Sequence, residues 1–497
     1  MSKRHSVVDA ALDEQRLGTG GIAVPVLTSA APLLVVAGIV TTGWAVTGVE
    51  ATPLAFVFMA LLLAVFAVGY MAMARRVDRN SGALYTYSAL GLGRPIGVAV
   101  GLLALVSYCT MQIGAYGYFG PLAIEQVQQY LGREMHWGTA ALIGWLLVGI
   151  MGLLRIDIAA KILAAMLALE IVFVLAVTVV ALLHPAGGHL DFGALNPTRL
   201  TLSGLGVVLA IAWTGFVGFE QGPVYSEESR SPRRTVPAAT FLSLALMAGL
   251  YAVSSWAMSV AVGSDHIVEQ SQQHSIGLMF VIGEPLGVIA NNLGHLFFLT
   301  SVFAGLVAFH ATTVRYTHAL AREGVLPRWM ARTWPRTGSR IAASALQSLV
   351  ALVVIVIYMA QGWDPVTQLM FFLASIGGVG VLLVVTITSL AIVVYFWRQP
   401  GSNALVWLVA PAVSALGLLG VAWLCLTNYS TLLGVDDSHP VRWIGLIGYA
   451  VILVGGLSWG LLMKWSNLPA YQQIGHGAAT APAAVALSKA SAFGGVR

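Results

Sequence analysis

Charge is what this sequence has least of. Asp, Glu, Lys and Arg make up 9% of its 497 residues, where a soluble globular chain carries about 25%. With 58% hydrophobic residues and so few charges, the chain cannot cover a water-facing surface, which excludes an ordinary soluble domain. Cysteine is nearly missing as well. Cys109 and Cys425 both stand inside apolar runs, so a disulfide framework is excluded and small buried apolar residues remain as their reading. No His/Cys cluster has metal-ligand spacing and no glycine-rich phosphate loop is present, so no metal, no cofactor and no ATP-driven step on this chain is expected. A cleavable leader is not expected either, because residues 1–20, MSKRHSVVDAALDEQRLGTG, are polar and charged with no apolar core.

What the sequence has is long apolar runs. Twelve are delimited by polar or turn-rich breaks, at 23–47, 53–74, 96–122, 138–154, 162–183, 203–225, 238–262, 288–314, 342–360, 367–396, 404–426 and 442–463. Most reach the ~20 residues a helix needs to cross ~30 Å of hydrocarbon, and none is the short alternating strand of a barrel. The expected fold class is an all-α polytopic membrane protein with twelve transmembrane helices. Expected domains are an N-terminal tail at 1–21, the twelve-helix unit at 22–465 and a disordered C-terminal tail at 466–497, rich in Ala, Gly and Gln. With the N-terminus placed inside, only Arg133, Arg199 and Arg442 fall in outer loops, and the other 22 of the 25 basic residues fall inside. Positive residues are retained on the cytoplasmic side, so both termini are expected to be cytoplasmic. The net charge of +5 therefore reports topology. It calls for contact with a lipid bilayer and for no nucleic acid.

Two runs break the rule that a membrane helix stays regular. The first carries TSAAPLLVVAGIVTTG, with Pro32 a few residues in and Thr28, Ser29, Gly38, Thr41 and Gly43 around it. The sixth carries WTGFVGFEQGP, with Gly215, Gly218, Gly222 and Pro223 beside a carboxylate, Glu220. Backbone freed within the bilayer is tolerated only where protein covers it or a polar cavity takes it up. Runs one and six correspond if the first ten form two repeats of five, and matched interruptions point to a transporter substrate site. A kink at Pro32 or packing at any one Gly is the plainer reading.

Three stretches resemble a known family. GFEQGPVYSEESRSPRRTVPAA has the spacing of the sixth-span signature of the amino acid-polyamine-organocation (APC) superfamily: Gly218-Phe219-Glu220, then Glu227-Glu228, Pro232, Arg233-Arg234 and Pro237. RNSGALYTYSALGLGRPIG (79–97) and RYTHALAREGVLPRWMAR (315–332) are similar to the family's loops after spans two and eight. The resemblance covers about residues 20–465. It implies the leucine-transporter fold, two inverted repeats of five helices plus two more, with substrate held midway between broken helices one and six. It implies a secondary active amino acid permease working by alternating access and importing substrate with a proton, sodium being the other candidate ion. The chain departs from the family in span one, where SAAP stands for a glycine motif. It departs again in span five, where Glu170 stands where some proton-coupled members carry a lysine.

Candidate site residues follow from chemistry. An amino acid needs N–H donors for its carboxylate and carbonyl or hydroxyl acceptors for its ammonium, and unwound backbone supplies both. Ser29, Ala30 and Pro32 on the first span and Thr214, Gly215, Phe216, Val217 and Gly218 on the sixth are the expected contacts. Tyr108, Gln112 and Tyr116 share one helical face; Gln112 and Tyr116 are taken as side-chain selectors, or the face packs between helices. Trp213 and Phe216 are candidate gates or plain core. Glu170 has no charge within eight residues on either side, and an acid at membrane depth is costly enough to be functional by default; it and Glu220 are the proton-coupling candidates. Glu220 is otherwise a structural acid that accepts from freed N–H groups or meets the substrate ammonium. His310 reads as a structural histidine, and Thr312 and Thr313 as a weak cation signal between helices one and eight. Glu227 and Glu228 with Arg230, Arg233 and Arg234 read as a charged cluster that exchanges ion pairs with the cytoplasmic loops. Amine or polyamine transport and exchange stay open within the class; a channel would need a continuous polar face and an enzyme a cluster of catalytic groups, neither of which the sequence offers.

Overall fold

In hydrocarbon an unpaired backbone group finds no water, so a chain of this composition folds into elements that bond their own backbone. The computed structural model describes residues 17–76, 83–154, 156–200, 202–333, 339–399 and 408–476. Residues 1–16, 79–82 of the loop motif and 477–497 of the C-terminal tail lie outside the described residues. Among those described, eleven helices are long and apolar enough to cross a membrane: Thr19–Thr47, Thr52–Arg76, Arg94–Leu131, Ile158–Leu183, Gly204–Glu228, Pro232–Val262, Val288–Arg322, Ile341–Gln361, Pro365–Arg398, Ala410–Thr427 and Val441–Ser466. Trp137–Leu153, with 17 residues, completes the twelve expected runs; at 1.5 Å per residue it is about 25 Å long. In chain order these are spans 1 to 12, with Trp137–Leu153 as span 4.

Spans 1–5 and 6–10 form two sets, each opening on an interrupted member, and spans 11 and 12 follow. Five crossings carry the chain to the opposite side, so the second set runs inverted relative to the first. The interrupted spans are central: 83% of the most apolar stretch of span 1 and 89% of that of span 6 is buried in protein, against 28% for span 9 and 22% for span 12. Span 1 packs on spans 5, 7 and 8, and span 3, the longest at 38 residues, packs on spans 8, 10 and 12. Alternation brings Leu17, Arg76, Glu228, Arg322 and Arg398 to one end of the bundle, called here the basic face.

The folded part reaches further at both ends than the sequence suggests. Span 1 already begins at Thr19, and Leu17 pairs its backbone with the end of span 6: its N–H donates to Glu228 O at 3.1 Å and its carbonyl accepts from Arg230 N–H at 3.0 Å. Residues 466–476 are folded. Leu468–Gln473 is a short helix capped by the Asn467 side chain, Ala470 and Ile474 are buried, and Gly475 N–H donates to Glu323 at 2.8 Å. Composition misleads here because the segment finds apolar cover on the loop after span 8.

Candidate functional site

Span 1 is an α-helix from Thr19 to Ala30, and Ala31 then turns left-handed (φ 47°, ψ 69°), a conformation that costs an L-residue roughly 1–2 kcal/mol. Pro32 starts the second half, where its fixed φ and missing N–H fit. The interruption is local: Ala31 N–H still reaches Thr28 O, and Ala31 O accepts from Val35 N–H, both at 3.1 Å. A π-helical turn, Val35–Ile39, follows before the α-helix resumes at Val40–Thr47. Such turns recur at functional sites.

Span 6 is α-helical over Leu202–Phe216, breaks at Val217 and Gly218, and continues as a 3-10 helix over Phe219–Glu228. Pro223 lies inside this stretch and supplies no backbone N–H to it. Gly218 has φ 119°, open to glycine and strained for other residues. It also touches span 1: a Cβ placed on Gly218 would stand 2.2 Å from Ser29 Oγ and 3.3 Å from Ala30 N. Of the expected backbone contacts, Ser29, Ala30 and Gly218 therefore meet directly, and Gly215 packs on Val35, just past Pro32. Ser29 donates to Val26 O at 2.7 Å and Thr214 to Ile211 O at 2.7 Å, so both hydroxyls are tied back to their own helices.

The two deep acids differ. Glu220 is fully engaged: Oε1 accepts from the Tyr108 hydroxyl at 2.6 Å, Oε2 from Gly218 N–H at 2.9 Å, and its carbonyl from the Tyr70 hydroxyl at 2.8 Å. Glu170, 1% exposed, has a hydrogen-bond partner on neither oxygen. The Ser301 hydroxyl of span 8 and the Leu33 backbone at the start of the second half of span 1 face it, with Tyr251 of span 7 in the same electrostatic neighbourhood. The hydroxyls of Ser301 and Tyr251 are unpartnered too.

Other expected residues lie elsewhere. Gln112 and Tyr116 are bonded to each other at 3.1 Å, and Gln112 accepts from Gln347 of span 9; this polar pair ties spans 3 and 9 together. Tyr108, one turn earlier, reaches the break through Glu220. Trp213 donates to Gly378 O of span 10 at 2.9 Å, and Phe216 packs its ring on Phe56 and Tyr251. His310 is bonded to Ser344 at 2.9 Å. Thr312 donates to Gln221 at 2.7 Å and Thr313 to Phe309 O at 2.9 Å. Tyr70 and Gln221 carry no sequence signal of their own and enter the site only through these bonds.

The charged cluster has other partners than its sequence neighbours. Glu227 pairs with Arg322 at 2.6 Å, and Glu228 with Arg315 at 3.1 Å and Arg340 at 2.9 Å. Arg230 and Arg234 are exposed. Arg315 and Arg322 stand two turns apart on one face of span 8, and their ion pairs tie this helix to the end of span 6.

The family model for amino acid permeases matches residues 18–456. The chain belongs to this family. Among its relatives, the uncharacterized amino acid permease YecA of Bacillus subtilis is 28% identical over 274 residues, 55% of this chain and 61% of that protein. The low-affinity putrescine importer PlaP of Escherichia coli K12 is 23% identical over 77% of this chain and 82% of its own length. Cationic amino acid transporter 8, vacuolar, of Arabidopsis thaliana is 22% identical over 52% and 40%. The alignments with YecA and with the mycobacterial transporters thus span less than two thirds of those proteins' lengths. A solved manganese transporter of Eremococcus coleocola has the same fold, with a TM-score of 0.54 at 13% identity over 95% of this chain and 97% of that one.

At the opposite face of this permease, three loops meet at Arg199. Its guanidinium bonds Glu50 at 2.5 Å and Asp265 at 2.6 Å. Beside it Asp191 accepts from the Ser264 hydroxyl and from Gly193 N–H. The Ser264 hydroxyl, first among these donors, holds the Asp191 carboxyl below the usual carboxylate range.

Proposed function

We propose that this permease is a secondary active importer of amino acids, coupled to protons and working by alternating access. One observation carries the reading: two interrupted spans meet inside the bundle, and a buried, unpartnered carboxylate, Glu170, faces the start of the second half of one of them. Substrate is held by backbone groups around Ser29–Pro32 and Thr214–Gly218. Trp213, latched to Gly378 of span 10, gates one side with Phe216 beneath it, and the ion pairs of Glu227 and Glu228 close the other. Glu170 carries the proton, because its oxygens lack the close hydrogen bonds that hold both oxygens of Glu220. Glu220 holds the break of span 6 in shape. The charge bias of the loops supports a cytoplasmic basic face in the plasma membrane, with both tails inside.

The test is amino acid uptake into proteoliposomes under an inward proton gradient without sodium, for the parent and Glu170→Gln. The expected outcome is gradient-driven accumulation by the parent, lost in the variant with counterflow retained. Equal accumulation by both removes Glu170 from the coupling, and accumulation that needs sodium or a trans substrate replaces protons with sodium or exchange. A second reading, amine import, is favoured by the putrescine importer among the relatives and by the same unpartnered carboxylate, which suits an ammonium. Uptake of labelled putrescine with no uptake of amino acids selects it.

A further inference from the structure

The basic face carries a groove between the end of span 2 and the start of span 7, two spans that pack against each other. Its volume is ≈ 540 Å³, and Arg75, Arg233, Arg234, Pro237, Ala238 and Phe241 line it. Unlike Arg315 and Arg340, which are buried, these three arginines are exposed. Arg75 and Arg234 bring positive charge to the groove from different spans. Arg76, the next residue after Arg75, serves another contact: its guanidinium lies over the Phe396 ring of span 10 at 4.7 Å. Past the arginines the surface of span 7 turns apolar. Residues 234, 238, 241 and 245 are spaced four, three and four apart, and so share one helix face. Exposed Ala238 and Ala245 leave a shallow trough on that face beside Phe241, which is 38% exposed, and Leu242 and Leu246 flank it, 45% and 47% exposed. The span is thus cationic at its end and uncovered hydrocarbon for the turns that follow.

Basic residues beside a span attract anionic headgroups, and a guanidinium matches two oxygens of one phosphate. An arginine stem and an aromatic ring both suit the boundary where one end is wet and the other apolar. A free phosphate would use only the cationic end of this groove, whereas a lipid uses the apolar face as well. We propose that the groove binds one anionic phospholipid, with its phosphate between Arg75 and Arg234 and an acyl chain along Ala238, Phe241 and Ala245. Bound there, the lipid bridges the ends of spans 2 and 7. The site depends on the form of the basic face and not on the transported substrate or its coupling ion.

The experiment is native mass spectrometry of the full-length protein in detergent, titrated with dioleoylphosphatidylglycerol and, for comparison, with zwitterionic dioleoylphosphatidylcholine. The parent is expected to hold a phosphatidylglycerol at concentrations where it holds no phosphatidylcholine. The double variant Arg75→Gln/Arg234→Gln is expected to bind it on the order of tenfold more weakly, as two basic contacts are lost. Ala238→Trp keeps both charges but fills the trough, so it weakens the same adduct. Arg328, exposed at the same face after span 8, does not line the groove, and Arg328→Gln leaves the adduct unchanged. Equal binding of the two lipids, undiminished binding by the double variant, or as large a loss in Arg328→Gln overturns the site, because general charge would then account for the adduct. Excess inorganic phosphate separates the sources. Phosphatidylglycerol that is retained against phosphate and weakened by Ala238→Trp identifies the lipid. Displacement by phosphate, with Ala238→Trp without effect, identifies a free phosphate and overturns the lipid site. Binding needs neither gradient nor flux, so failure of the uptake test leaves this result standing, and the reverse also holds.

Discussion

Two glutamates sit at membrane depth in this permease, and their surroundings assign them different work. Glu220 follows a break in span 6 and accepts from Tyr108 and from Gly218 N–H. Glu170 lies in an unbroken helix with neither oxygen partnered. A buried carboxylate with its acceptors filled lends stability and geometry, and removing it leaves its donors orphaned. Glu170 meets only the Ser301 hydroxyl and the Leu33 backbone, neither in close hydrogen-bond geometry, so it adds less to the fold against its desolvation cost. Depth alone, the property they share, separates neither role from the other.

The comparison can be broken most severely at Glu220. Glu220→Ala orphans the Tyr108 hydroxyl and Gly218 N–H, at ~1–3 kcal/mol each, so a stability loss of about 2–6 kcal/mol and abolished flux are expected from detergent unfolding and liposome uptake. Gly218→Ala comes next. Its methyl would meet Ser29 Oγ at 2.2 Å in a backbone with φ 119°, and a loss of roughly 1–3 kcal/mol with flux reduced by orders of magnitude is expected, since overpacking pushes the two breaks apart. Tyr108→Phe removes one bond to a charged group, a loss of about 1.5–3 kcal/mol; the protein stays folded and flux falls in part. Glu170→Gln sharpens the contrast from the other side. Its unfolding midpoint is expected to hold or rise, because the amide oxygen can still face Ser301 and the Leu33 backbone and the buried group is no longer ionisable, while gradient-driven accumulation disappears. A drop in stability as large as that of Glu220→Ala would erase the distinction between the acids.

The smallest effect is expected at the opposite face. The Asp191 carboxyl is held below the ordinary range by Ser264, so its contribution is present above the unfolded aspartate value, about 3.9, and is lost as pH falls through the lower folded value. Asp191→Asn should therefore lower the unfolding midpoint slightly at pH 6 and make no difference once the pH is below both values. A constant difference at both pH values means that Asp191 acts through packing and not through its charge.

The twelve spans, the two interruptions, the family and the two deep acids are legible in the order of residues alone. These are local properties: apolar length is set by hydrocarbon thickness, and Pro32 or Gly218 marks a break wherever the rest of the chain goes. Which acid is satisfied depends on packing, because Tyr70 and Tyr108 reach Glu220 from 150 and 112 residues away. The same packing turned Gln112 and Tyr116 toward span 9, and it brought Glu227 and Glu228 to arginines of span 8 and the start of span 9. It also folded residues 466–476, whose composition reads as a tail. Side chains three or four residues apart meet on a helix by its geometry alone, whereas partners a hundred residues apart meet only when packing brings their helices together.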